Sequence, residues 1–217
     1  MKNIAIDGPA GAGKSTAAKI VAKKLGILYL DTGAMYRAIG YKALKLGINT
    51  RDIPAVEAFL PTTSVEIKYV DEVQNIFLDG ENVTPFIREH AVSMAASDVS
   101  AIPAVRLKLV ELQREIAKNN DCILDGRDIG TYVLPDANYK FFITATAEER
   151  ANRRFKELKE KGQSVSYEDV LTDIVTRDRN DSTRAFAPLK KADDAFEFDT
   201  TTMSIDQVVE ELLNRIK

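Results

Sequence analysis

Short apolar runs alternate along this chain with segments whose apolar residues recur every three to four positions. Five runs read as strands, Asn3–Asp7, Ile27–Asp31, Cys122–Asp125, Tyr139–Thr144 and Ala195–Asp199. Helical patterns lie between most of them, at about Lys14–Leu25, Ala34–Leu46, Ala104–Lys118 and Glu148–Lys161. A last helix starts near Ser204, whose hydroxyl can cap it while Gln207 reaches back in a capping box. Its Ile205, Val208, Val209, Leu212, Leu213 and Ile216 form a stripe that faces a core. Alternating β and α predicts an α/β fold with a five-stranded parallel sheet flanked by helices.

Two stretches break the rhythm, and substrates tend to be held at such departures. Over about residues 61–88, alternating Val65, Ile67, Tyr69, Ile76 and Leu78 predict a small antiparallel β insert, too short to fold alone. Residues 148–184 are dense in charge, with two helical pieces joined at Lys161-Gly162 and the second capped by Ser166 with Asp169.

Composition narrows the function classes. A chain of 217 residues, 45% hydrophobic, fits one α/β domain over residues 1–217. With 30 Lys+Arg against 33 Asp+Glu, the net charge of -3 gives no global field for nucleic acid or anionic lipid, so any anion site is local. The single Cys122 and single His90 exclude an internal disulfide and a Cys/His zinc cluster, and both read as structural residues. No leader pattern precedes the first strand and no apolar run approaches ~18 residues, so the expectation is a cytoplasmic protein without a membrane span. No exposed apolar stripe is evident, which makes a monomer the simplest expectation.

Directly after the first strand comes Gly8-Pro9-Ala10-Gly11-Ala12-Gly13-Lys14-Ser15, which matches the phosphate-loop pattern G-x-x-x-x-G-K-[ST], and a helical pattern follows. Glycines let successive backbone N–H groups curl around phosphate oxygens where a Cβ would obstruct them. Lys14 is predicted to reach the β and γ phosphates, and Ser15 to offer its hydroxyl to Mg²⁺. The helix behind them aims its positive end at the anion. No guanine-reading Asn-Lys-x-Asp occurs, and the chain has no room for a large motor. The strand ending in Leu124-Asp125-Gly126-Arg127-Asp128 supplies Asp125 as a carboxylate able to hold Mg²⁺ through water.

Arg150, Arg153, Arg154, Arg177, Arg179 and Arg184 crowd into one segment of a mildly acidic protein. Planar guanidinium groups can bridge donor and acceptor phosphates, and a closing lid that carries them excludes water. Glu148, Glu149, Glu157 and Asp178 are nearby, so for Arg153 ordinary helix-surface pairing is an equal reading.

At this point the chain resembles the bacterial cytidylate kinases, a branch of the nucleoside monophosphate kinases. The likeness rests on Ile6-Asp-Gly-Pro-Ala-Gly-Ala-Gly-Lys-Ser15, Leu30-Asp-Thr-Gly-Ala-Met-Tyr-Arg37, Ala95-Ala-Ser97, Leu124-Asp-Gly-Arg-Asp-Ile-Gly130, Arg177-Asp-Arg-Asn-Asp-Ser-Thr-Arg184 and Ala187-Pro-Leu189. It implies a P-loop nucleoside monophosphate kinase fold with a β insert and a helical lid at 148–184. It also implies transfer of a phosphoryl group from ATP to CMP or dCMP with Mg²⁺. By the same resemblance residues 32–98 bind the acceptor nucleotide, with Thr32 as hydroxyl donor, Tyr36 as a wall and Arg37 on the phosphate; Thr32 stands where many relatives carry Ser. Base choice falls on Ser97, Arg106 and Asp128, since a carboxylate accepts from the cytosine amine and would face a carbonyl in uracil. Arg127 is expected to share the acceptor phosphate, Arg177 and Asp181 the sugar hydroxyls, and Arg184 to bridge the phosphates. The donor nucleotide is assigned the loop with Thr16, and Arg150 and Arg154 from the lid.

Overall fold

The computed structural model describes residues 1–71, 73–160 and 162–216. In chain order the first half holds β1 (Asn3–Asp7), α1 (Lys14–Leu25), β2 (Leu28–Asp31), α2 (Thr32–Lys45), α3 (Ile53–Phe59), a 3-10 turn (Leu60–Thr62), β3 (Val65–Val70), β4 (Val73–Leu78), β5 (Glu81–Asn82) and α4 (His90–Val99). The second holds α5 (Pro103–Asn119), β6 (Cys122–Gly126), a π-helical turn (Ile129–Val133), β7 (Tyr139–Thr144), α6 (Ala147–Glu160), α7 (Tyr167–Thr183), β8 (Phe196–Asp199) and α8 (Ile205–Arg215). The chain divides into two compact units, Met1–Tyr29 with Asn120–Lys217, and Leu30–Asn119.

The first unit holds β6, β1, β7, β8 and the start of β2 from a sheet of order β2-β6-β1-β7-β8. Its central strand β1 pairs in parallel with β6, Asn3 opposite Cys122, and with β7, Ile4 opposite Tyr139. Ile4 and Ile6 are fully buried among Val21, Ile123, Phe141, Ile143 and Leu212, which is why this strand reads as an unbroken apolar run. Cys122 opens β6, its thiol donating to Asn3 Oδ1 at 3.2 Å. Helix α8 carries the full predicted capping box between Ser204 and Gln207.

Helices α6 and α7 pair as a hairpin with an apolar cluster of their own, Ala151, Leu158, Val170 and Ile174, flanked by Phe155 and Tyr167. Ser166 caps α7 by accepting from Asp169 N. Gly162 has φ +73 and donates to the Lys159 carbonyl. Lys161, the predicted end of the first piece, lies outside the described residues.

In the second unit the insert is an antiparallel sheet of order β3-β4-β5, with Val65 opposite Leu78 and Ile67 opposite Ile76. That register puts the predicted apolar alternation on one face. Helix α2 packs closely on α4 at Gly40, where a Cβ would come within 2.8 Å of Ala96 N. Helices α3 and α4 have no counterpart in the sequence pattern. The first is a single short run capped by Asp52; the second is a small-residue helix, His-Ala-Val-Ser-Met-Ala-Ala-Ser-Asp-Val, with no side-chain cap at Glu89.

Candidate active site

In the first unit β1 ends at Asp7 and the chain enters the glycine loop. Gly8 has φ +144, and a Cβ there would stand 1.9 Å from the Ile143 carbonyl oxygen on β7, so only glycine fits. Gly13 precedes α1 in the left-handed region, φ +86, and brings no side chain to cap it. The N–H groups of the first helical turn therefore have no side-chain cap, the arrangement in which a helix N-terminus is open to an anion. Lys14, buried, folds back to donate to the Pro9 carbonyl at 2.7 Å. Burial first, and the Arg127 guanidinium second, pull its ammonium from the ordinary lysine range down to about 7, against the attraction of Asp125, Asp7 and Asp181.

Ser15 donates from Oγ to Asp125 Oδ2 at 2.6 Å, and Tyr29 donates its hydroxyl to Asp125 Oδ1 at 2.9 Å. A hydroxyl and a carboxylate are hard oxygen donors of the kind Mg²⁺ prefers. Among the described residues no group of three or more His, Cys, Asp or Glu could hold a metal. That donor set fits an ion that draws most of its ligands from nucleotide phosphates and water.

Beyond β6 buried and partly buried charges interlock. Arg127 donates from Nε to Asp181 Oδ2 at 2.8 Å, and Arg184 lies 3.4 Å from Asp128 Oδ1 and 3.9 Å from Asp181 Oδ1. Arg184 also donates from Nε to the Ala187 carbonyl at 2.7 Å. Burial would raise the Asp181 carboxyl, yet Arg127, then Arg184 and Arg177, hold it below its usual range. The turn that carries Arg127 and Asp128 is pinned by Asp7, which accepts from Ile129 N at 2.8 Å and Gly130 N at 2.7 Å. Burial pushes Asp7 up to about 7 in spite of those donors.

The three arginines of α6 separate in role. Arg150 is buried and donates to the carbonyls of Ala145 and Ala10 and bidentately to Asp178, so it ties the phosphate loop to α7 through protein acceptors. Arg154 makes an exposed pair with Glu157 at 2.8 Å. Arg153 pairs with Glu149 and also donates to the Thr200 carbonyl at 2.6 Å, beside a cavity of about 210 Å³. Ala12, Gly13, Thr16, Thr200 and Met203 line that cavity with it.

In the second unit Asp31 ends β2 and caps α2, accepting from Ala34 N at 3.0 Å. Its Oδ2 accepts from Arg37 Nη2 at 2.8 Å and from Arg88 Nη2 at 3.0 Å. Thr32 and Tyr36 are buried on the same helix. The Arg106 guanidinium, on a residue only 1% exposed, lies 5.3 Å from the Tyr36 ring centroid and donates to the Ser100 carbonyl at 3.1 Å. The Ser97 hydroxyl on α4 is buried with no hydrogen-bond partner among the described residues.

So Lys14, Ser15, Asp125, Arg127, Asp128, Arg177, Asp181 and Arg184 share one charged neighbourhood of the first unit. Tyr36 meets Arg106, and Arg37 meets Asp31, in the second. Asp7, Asp31, Arg88, Thr200 and Met203 were not among the predicted site residues. The two aspartates carried a signal, each ending a strand just before a glycine-bearing turn or helix; the other three have none in their local sequence.

The protein-family model described as cytidylate kinase matches residues 4–217. The chain is similar to the cytidylate kinase of Caldicellulosiruptor bescii, 56% identical over 211 residues covering 97% of this chain and 93% of that protein. It is similar also to the cytidylate kinase of Clostridioides difficile strain 630, 54% identical over 213 residues covering 98% and 97%. Among solved structures, a gluconokinase from Sinorhizobium meliloti 1021 shares the fold over 98% of this chain and 90% of its own, with a TM-score of 0.50 at 12% identity.

Proposed function

The chain belongs to the cytidylate kinase family, and we propose that it transfers the γ-phosphoryl group of ATP to CMP or dCMP, yielding ADP and CDP or dCDP. The observation that carries this reading is the gathering of Lys14, Arg127, Arg177 and Arg184 in one neighbourhood of the first unit with the Ser15–Asp125 pair, where burial, and after it the Arg127 guanidinium, brings the lysine down to about 7. A polyphosphate brought to that cluster meets several cations at once, which favours the charged lysine and spreads the phosphate charge over the guanidinium groups.

In the reaction an oxygen of the acceptor phosphate forms the new bond to Pγ while the bond from Pγ to the β–γ bridging oxygen breaks, and ADP leaves with that electron pair. The acceptor phosphate is ionised at neutral pH, so no strong general base is needed. The amides of Gly8 to Ser15 and the Lys14 ammonium steady the donor phosphates. Ser15, and Asp125 through water, would hold Mg²⁺, which when bound neutralises charge on the phosphate oxygens. Arg127 and Arg184 offset the charge that spreads over the transferring group, and Arg177 and Asp181 meet the acceptor sugar.

Thr32, Tyr36 and Arg37 take the acceptor nucleotide, and Ser97, Arg106 and Asp128 read its base. The buried Ser97 hydroxyl, which has no protein partner among the described residues, supports that role. The donor base is assigned to the cavity beside Gly13, walled by Arg153, Thr200 and Met203. Arg150 keeps the loop in shape from behind, through the Ala10 carbonyl.

Steady-state rates with ATP and Mg²⁺ and CMP, dCMP, UMP or AMP as acceptor test the proposal. CMP and dCMP are expected to lead, and Asp128→Asn to narrow the CMP-over-UMP preference by about tenfold, the worth of one mismatched buried acceptor. Equal use of AMP, or ADP release that ignores the acceptor, would end it.

A further inference from the structure

We infer that Gln74, on the β insert, is a positioning residue that sets the acceptor-phosphate arginine through Asp31; the inference rests on the proposed role of Arg37. Asp31 stands where the chain leaves β2 for α2, and its own N–H and carbonyl face β4. Gln74 satisfies both: Oε1 accepts from Asp31 N at 2.7 Å, and Nε2 donates to Asp31 O at 3.2 Å. A primary amide presents a donor and an acceptor in one plane, as a strand backbone would, and no aliphatic or acidic side chain can replace it.

What this fixes is the carboxylate. Asp31 Oδ1 caps α2 through Ala34 N, and Oδ2 receives Arg37 at 2.8 Å and Arg88 at 3.0 Å. Arg37 Nε is buried with no hydrogen-bond partner among the described residues, so the Asp31 contact is what aims this guanidinium. The insert is tied to α2 also by Lys42 to Asp79 at 2.6 Å and Lys45 to Glu81 at 3.0 Å, but these hold the last turns of the helix. Gln74 alone of these ties acts at the arginine end. A side chain on an appended sheet thereby governs how well a phosphate ligand is presented, without touching the nucleotide itself.

The test is a set of four enzymes, wild type, Gln74→Leu, Arg37→Ala and the double variant, with KM for acceptor, KM for ATP, kcat and melting temperature measured for each. Gln74→Leu is expected to raise the acceptor KM about tenfold, with ATP KM and kcat within about twofold. In the Arg37→Ala background the same change is expected to add less than about twofold, because the path it acts on is gone. Gln74→Glu, which keeps one acceptor but turns a carboxylate toward the Asp31 carbonyl and the arginines, is expected to raise the acceptor KM further, and it carries the test should the leucine variant not fold. A raised acceptor KM in Arg37→Ala beside an unchanged one in Gln74→Leu overturns the inference, as does a full multiplicative loss in the double variant. So does a lower melting temperature with no selective change in KM, which is all that a merely structural contact would give. An unchanged acceptor KM in Arg37→Ala instead defeats the assignment of Arg37 to the acceptor, and the inference with it.

Discussion

Asp31 gathers Arg37 and Arg88 from the N-terminal end of α2, whereas Asp181 gathers Arg127 and Arg184 from the last turn of α7. The positive end of a helix dipole welcomes a carboxylate, and the negative end repels one. Asp31 would be comfortable without its arginines, since it caps a helix and its backbone is clamped by Gln74. Asp181 is buried at the unfavourable end and stays ionised only because the guanidinium groups surround it. One set is organised by main-chain bonds and borrows its charge; the other is organised by charge itself. Asp7 marks the limit of the series, a buried carboxylate served by two N–H groups, with burial the largest influence on its protonation.

The difference can be broken most directly at Arg184. Arg184→Ala is expected to lower kcat by about two to three orders of magnitude, as losing a preorganised transition-state donor does, with only a modest fall in melting temperature because Arg127 still faces Asp181. Equal losses of fold and of activity would refute the separation. Next in size, Asp181→Asn leaves the partly buried Arg127 without its ion partner and should cost about 3 kcal/mol in urea unfolding. A stability loss below that of an ordinary surface substitution would mean that charge does not organise this set.

Asp7 offers a pH handle of about 2 kcal/mol. Its folded value of about 7 stands above the ordinary 3.8, so the folded state binds the extra proton between those limits. Its contribution is therefore fully present at low pH and declines as pH rises toward 7, by about 2 kcal/mol between pH 5 and pH 7 at ~1.36 kcal/mol per unit. Asp7→Asn should remove that decline, read as unfolding free energy at the two pH values; parallel curves would exclude it. The smallest change belongs to Asp31→Asn, which keeps a good cap and should shift stability by no more than about 0.5 kcal/mol. Its acceptor KM should nonetheless rise, and a large loss of stability there would erase the contrast with Asp181.

How much of this was legible before any coordinates differs by element. The sheet strands announced themselves because a parallel sheet covered on both faces needs unbroken apolar runs, as in Asn3–Asp7. The phosphate loop was equally plain, since its chemistry requires glycines at fixed spacing and the backbone clash at Gly8 leaves no alternative. Helix α4 was silent because close packing on Gly40 favours small residues, which weaken the apolar period. The α6 arginines could be counted but not sorted. Which of Arg150, Arg153 and Arg154 reaches the loop, the cavity or solvent depends on helix rotation against Ala10 and Thr200, contacts 140 and 47 positions away in the chain. Gln74 was beyond reach for the same reason, its partner lying 43 positions earlier.

Cys122 has a practical corollary. The chain's sole thiol is wholly enclosed at the start of β6, and burial pushes it up to about 12. At neutral pH only about one such group in 10⁵ would be thiolate, the form that alkylating and oxidising reagents attack. Modification of the native enzyme should thus await opening of the central sheet, and the rate at which a maleimide label is taken up reports how often that sheet comes apart.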